Sequence, residues 1–286
     1  MEKRAIALLV FASAIYGLNI ITVKEGLNEG LSPLTFSFLR TFFCMLFTLP
    51  FFIRSRFELA KLNRADVRNV AIVGLVAEAI VIVLLFVGQK NTSAVNAGFL
   101  IRLTFLFTFP FAYVIVREQV GRIIGLVAVL MLGGAFLIST GGRLTAPMFG
   151  DIFVVLAALG LGFTNAFAKW SMKTVPADIV TWGRFFFGAI FLSAFLVPFI
   201  YGDFTIINAQ QWSLIILAAV FYASFVLTFY RGIYMAGPNI AALFFTAGAV
   251  FSALFAVLLL GEAITLEQIV GAALLIGGAA LLTFKK

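Results

Sequence analysis

Two ionisable residues stand inside long apolar runs, and their chemistry sets the first question. Glu78 lies in the run from Asn69 to Gly88 and Arg102 in the run from Ala94 to Val116, with the short link QKNTS between them. If both runs are helices, Glu78 lies about 14 Å from the start of the first and Arg102 about 12 Å from the start of the returning second. In a hydrocarbon core about 30 Å thick those depths nearly coincide. An isolated charge there costs roughly 2.5–3.5 kcal/mol on insertion scales, so each side chain is expected to face a partner or a wet cavity. Three arrangements fit: a structural ion pair, a pair that lines a pathway and exchanges partners with substrate or a proton, or a Glu78 that meets a different partner.

An arginine holds a carboxylate in bidentate fashion and a glutamate holds an ammonium group, so Glu78 with Arg102 or Arg40 has the chemistry to bind a zwitterion. Arg40 with Arg102 would instead suit an organic anion or a nucleotide-type compound. Further candidates for substrate contact are Asn19, Asn96 and Thr104 in the first half, and Asn165, Tyr222, Thr246 and Ser252 in the second. In apolar helices such groups also bond simply to neighbouring helices, at about 0.6 kcal/mol each. A membrane-embedded enzyme is the competing class. It needs converging nucleophile and base, or metal ligands, and the chain has no histidine and one cysteine. That composition removes disulfides and the usual zinc and iron-sulfur sites. Cys44 reads as a packing residue.

These side chains need elements to carry them. Of 286 residues, 63% are hydrophobic and 11% charged, against about 25% charged in an ordinary soluble domain. The chain is therefore expected to be all-α and polytopic, its partners the lipid bilayer and a small-molecule substrate. A net charge of +8 does not imply nucleic acid, because the basic residues are spread over short segments between apolar runs. Ala12-Ser13-Ala14 imitates a signal-peptidase site, yet the apolar run continues past it, so the first helix is read as uncleaved. Ten runs follow in all. Placing both termini on one side puts 14 of the 20 Lys and Arg there, which makes that side the cytoplasm and the membrane the cytoplasmic (inner) one.

Displacing the chain by about 144 residues aligns its halves. SFLRTFF meets TWGRFFF, superposing Arg40 on Arg184; FAYVIVRE ending at Glu118 meets FAVLLLGE ending at Glu262; Glu78 meets Tyr222 and Arg102 meets Thr246. With one residue of slippage, Lys24 meets Lys169. The expected units are 1–145 and 146–286. Five helices per half is an odd number, so the halves must be inverted, as in many secondary transporters. Arg184 is expected to have a structural role shared with Arg40, such as satisfying carbonyls at helix ends. Glu118 and Glu262 are expected to cap the helices that follow them. The glycines in the fifth and tenth runs imply close packing within a monomer, with a weak homodimer as the alternative.

The late motif LLLGEAITLEQIVGAALLIGGAALL at Leu258 to Leu282, its cruder copy at Val114 to Leu137, the IYGLNIITVK start and the Arg40 and Arg184 helices resemble the EamA-like branch of the drug/metabolite transporter superfamily. Thr104 and Gly248 stand where that family often has proline, and Arg117-Glu118 replaces Gly-Glu. The resemblance implies a cavity lined by helices one to four and six to nine, with five and ten outside, and no cofactor. It also implies transport of amino acids, other small metabolites, nucleotide sugars or organic phosphates, often outward. The leading expectation is a secondary transporter of an amino acid or related compound, with protons as one option for the coupling ion and a carrier of organic anions, nucleotide-type compounds or drugs as the alternative.

Overall fold

A computed structural model describes residues 3–144, 146–200, 202–203, 207–260 and 263–284, in which only helices and their connections occur. The helices are α1 (Lys3–Asn28), α2 (Pro33–Arg54), α3 (Arg64–Lys90), α4 (94–116), α5 (Arg122–Thr140), α6 (Phe149–Ser171), α7 (Ala177–Ile200), α8 (Ala209–Ala236), α9 (Pro238–Ala247, continued by Ala249–Leu260) and α10 (Leu266–Phe284). Among the described residues, nine are long and apolar enough to cross a membrane, and α10 adds the apolar stretch Leu266–Leu282. This is a multi-pass membrane protein.

Local chemistry sets the ends of these helices. Pro33 opens α2, where its missing N–H costs nothing. Asn63 and Asp66 form a capping box at α3, and Asn208 with Gln211 forms one at α8. Gly237 takes φ +87°, which lets α8 stop and Pro238 start α9 within one residue.

Packing repeats across the halves. Helix α1 lies against α8 as α6 lies against α3; α1 meets α9 as α6 meets α4; α2 packs on α7 and α5 on α10. Close contacts follow the same rule. A β-carbon on Gly17 would stand 3.0 Å from Ser252 N, and one on Gly162 would stand 2.8 Å from Thr108 N. Thr108 and Ser252 are equivalent at the 144-residue offset that also separates the contacting pair Arg102 and Thr246. Two five-helix repeats, each with an odd number of crossings, thus run oppositely through the membrane. Gly134 against Gly271 and Gly278 against Met131 close the α5–α10 pair at the periphery.

Candidate functional site

Helix α3 widens into a π-helical stretch over Leu75–Val81, and Glu78 sits inside it. Such stretches re-aim side chains and recur at functional sites. The helix also crosses α7 closely: a β-carbon on Gly74 would meet Arg184 O at 2.7 Å, and one on Gly188 would meet Glu78 Cβ at 2.5 Å. The absence of a side chain at Gly188 lets Glu78 reach along α7 toward Arg184.

Glu78, fully buried, binds that arginine rather than Arg102. Arg184 Nε lies 2.5 Å from Glu78 Oε1, and Arg40 Nη2 lies 3.8 Å from Glu78 Oε2. Thr41 donates to Oε2 at 3.2 Å, and Tyr222 stands 3.5 Å from Oε1. Arg184 completes its set by donating from Nη1 to the Tyr230 hydroxyl at 2.8 Å and from Nη2 to the Tyr222 hydroxyl at 2.5 Å. Arg40 is as deeply buried, yet its Nε and Nη2 have no hydrogen-bond partner. Its guanidinium stacks 3.9 Å above the Tyr222 ring and 4.8 Å from the Phe86 ring, an attractive cation–π arrangement.

The expectation of a Glu78–Arg102 pair is therefore corrected. Equal depth fixes height in the membrane but not direction around the helix, and α4 turns Arg102 toward α9. Arg102 Nη1 donates to the Phe245 carbonyl at 2.8 Å and Nη2 to Ser252 Oγ at 3.3 Å. Thr246 Oγ1 approaches the Arg102 carbonyl at 3.4 Å. Arg102, Thr246 and Ser252 thus form an α4–α9 junction beside the cavity. The expected carbonyl-capping role of Arg184 is corrected too: mid-helix, it is the main partner of Glu78.

The cavity between the repeats is lined by Arg40, Asn19, Thr104, Asn165 and Tyr222 of the expected residues, together with Arg184, Tyr16, Gln89, Phe86, Phe225, Phe229 and Phe245. All come from α1–α4 and α6–α9. The chamber is narrow, with about 30 Å³ open to water-sized molecules, room for about two waters. Gln89 Oε1, in its wall, is a buried acceptor without a partner. Asn19 donates to the Ala218 carbonyl, and Asn165 reaches Thr108 Oγ1 at 3.5 Å. Asn96 is elsewhere: it binds Asp151 Oδ2 at 3.0 Å, near the junction of the halves.

Past Tyr16, Ile20 and Gln89 the chamber meets a vestibule of about 370 Å³, bounded by Lys24, Lys90, Thr92, Gly98 and Ile101. It lies where α1 and α3 end and α4 begins, on the face away from Lys3. At the equivalent place on the other face Ala242, the counterpart of Gly98, is fully buried. Lys169 donates to the Tyr234 carbonyl, and Glu118 lies against Gly237 and accepts from the backbone N–H of Asn239 at the start of α9. Glu118 thus caps a helix of the other repeat, not the helix that follows it, which corrects that expectation; Glu262 lies outside the described residues. Among the described residues no cluster of metal-ligating side chains occurs.

Ten apolar helices in two opposed repeats around an arginine-lined chamber are the architecture of a membrane transport protein. The chain belongs to the EamA-like transporter family, whose model matches it twice, over residues 3–140 and 148–284. It is similar to a protein of Clostridium kluyveri described as an uncharacterized transporter, at 22% identity over 97% of this chain and 92% of that one. It is also similar to an uncharacterized transporter of Methanothermobacter thermautotrophicus, at 23% identity over 78% of this chain and 66% of that one. A solved crystal structure shares the fold with TM-score 0.73 at 16% identity, over 99% of this chain and 97% of that one.

Proposed function

We propose that the protein is a secondary transporter of a small amphipathic carboxylate, an amino acid or related compound first among them. In this reading it works by alternating access and exports from the cytoplasm, with both termini inside and the chain acting as a monomer. One observation carries the substrate class: Arg40 lines the chamber, its buried Nε and Nη2 have no hydrogen-bond partner, and the same wall holds the buried, unpartnered acceptor Gln89 Oε1. A ligand with an anionic group for Arg40, an N–H or O–H donor for Gln89 and an apolar part for Phe86, Phe225, Phe229 and Phe245 is complementary to that surface. A simple organic anion is the second reading, because Arg184 holds Glu78 and leaves no carboxylate in the chamber wall for an ammonium group.

The orientation rests on the bias of basic residues toward the terminal face. The test is flux into proteoliposomes of labelled L-leucine and L-phenylalanine and of their deaminated acids, with and without a pH gradient. Saturable, competable flux supports a carrier, and a dependence on the gradient supports protons as coupling ion. Appearance of a chemical product, or no saturable flux for any of the four, would overturn the reading. Arg40→Gln should raise the half-saturation concentration by about 10- to 100-fold, the worth of a lost charge-assisted hydrogen bond.

A further inference from the structure

The central cluster consists of two pairs of repeat-equivalent residues, Arg40 with Arg184 and Glu78 with Tyr222. One carboxylate therefore serves two buried guanidinium ions. Its oxygens already face different arginines, Oε1 toward Arg184 at 2.5 Å and Oε2 toward Arg40 at 3.8 Å. An approach of about 1 Å would bring Arg40 into hydrogen-bond range. Arg184 has a partner on each of its three nitrogens, whereas Arg40 has none on Nε and Nη2.

This inequality runs parallel to that of the two faces. Gly98 lines the open vestibule, and its equivalent Ala242 is fully buried. We propose that Glu78 changes arginines when the open and closed faces change places. With the vestibule open, Arg184 holds Glu78 and Arg40 is presented to the ligand. With the opposite face open, Arg40 holds Glu78 and Arg184 becomes the anion-binding group for the same carboxylate class. This rests on the transporter reading above and adds Arg184 as a second, state-dependent substrate site. A ligand carboxylate on the released arginine leaves both Arg40 and Arg184 paired with a carboxylate in either state.

The test uses single reporter cysteines, Gly98→Cys and Ala242→Cys, on the purified full chain, labelled by a water-soluble maleimide; Cys44 is buried. A β-carbon at Gly98 meets only Ser139 Cβ, at 4.0 Å. With the native arginines, position 98 labels fast and position 242 slowly. Arg184→Gln removes the partner specific to the vestibule-open state, so labelling at 242 should rise relative to 98 by at least about fivefold. Arg40→Gln should move the ratio the other way. If Arg184→Gln does not fold, Arg184→Lys is expected to shift the ratio in the same direction, because a point charge replaces the planar fork. Ratios that do not move, or that move the same way for both arginines, overturn the proposal. The readout needs no substrate. Flux that depends on Arg40 with an unmoved ratio sinks the exchange alone, and a moved ratio with no carboxylate flux sinks the substrate class alone.

Discussion

Glu118 of the first repeat closes against Gly237 of the second: a β-carbon on Gly237 would stand 2.7 Å from Glu118 Oε2. The carboxylate occupies space that only glycine leaves free, at the positive end of α9. Gly237→Ala should therefore destabilise the protein by about 1–3 kcal/mol from the backbone alone, because φ +87° with ψ 159° is a region essentially only glycine adopts, with displacement of Glu118 adding to it. Thermal unfolding in detergent measures this.

The same carboxylate carries a pH dependence. Burial raises the Glu118 carboxyl above the usual 4.5, with the Asn239 N–H and Lys169 pulling partly back. The folded state thus binds its proton more tightly than the unfolded state does. The resulting stabilisation is full below about 4.5 and is lost as pH rises through the folded value. From acid to neutral pH, the native protein should lose more thermal stability than Glu118→Gln does; equal losses would refute the assignment.

Gly188 and Cys44 are equivalent positions with different neighbours. A β-carbon at Gly188 would meet Glu78 Cβ at 2.5 Å, whereas Cys44 already carries a side chain, with Sγ 3.3 Å from the Ala219 carbonyl. Gly188→Ala is expected to cost about 1–3 kcal/mol by overpacking, and Cys44→Ala less. Comparison of melting temperatures decides it.

Glu78→Gln leaves two buried guanidinium ions without a carboxylate, a defect on the scale of about 3–5 kcal/mol. Adding Arg184→Gln removes one of them, so the double variant should melt higher than Glu78→Gln. If instead the second change destabilises further, Arg184 is held by Tyr222 and Tyr230 rather than by charge.

Cysteines placed singly between Arg54 and Arg68 should be shielded from an impermeant thiol reagent outside intact cells, and cysteines near Asp203 should react. The reverse labelling would invert the orientation.

Much of the fold was legible because lipid imposes it. Ten apolar runs, the 144-residue offset and the odd helix count per half lead directly to opposed repeats, and the alignment equates Arg40 with Arg184 and Glu78 with Tyr222 without showing that the four meet. The partner of Glu78 was not legible. Hydropathy gives height in the membrane but no direction around a helix axis, and a π-helical stretch changes that direction between Leu75 and Val81. Gly188 was the available signal, the gap on α7 through which Glu78 reaches Arg184. Gln89 sits in what reads as a polar link, and Tyr16 in an otherwise apolar start, so neither stood out. Asn96 reads as a cavity candidate because it is polar within an apolar run, but Asp151 claims its side chain.

The unequal central quartet bears on how such a chain could have arisen. Two copies of the first half, paired in opposite orientation, would set two carboxylates against two guanidinium ions, a neutral knot with no cation to spare for an anion. Two copies of the second half would set two phenols there and leave both cations uncompensated. Only a chain whose halves have diverged sets a single carboxylate between two guanidinium ions, so the odd charge at the centre is a product of lost internal symmetry.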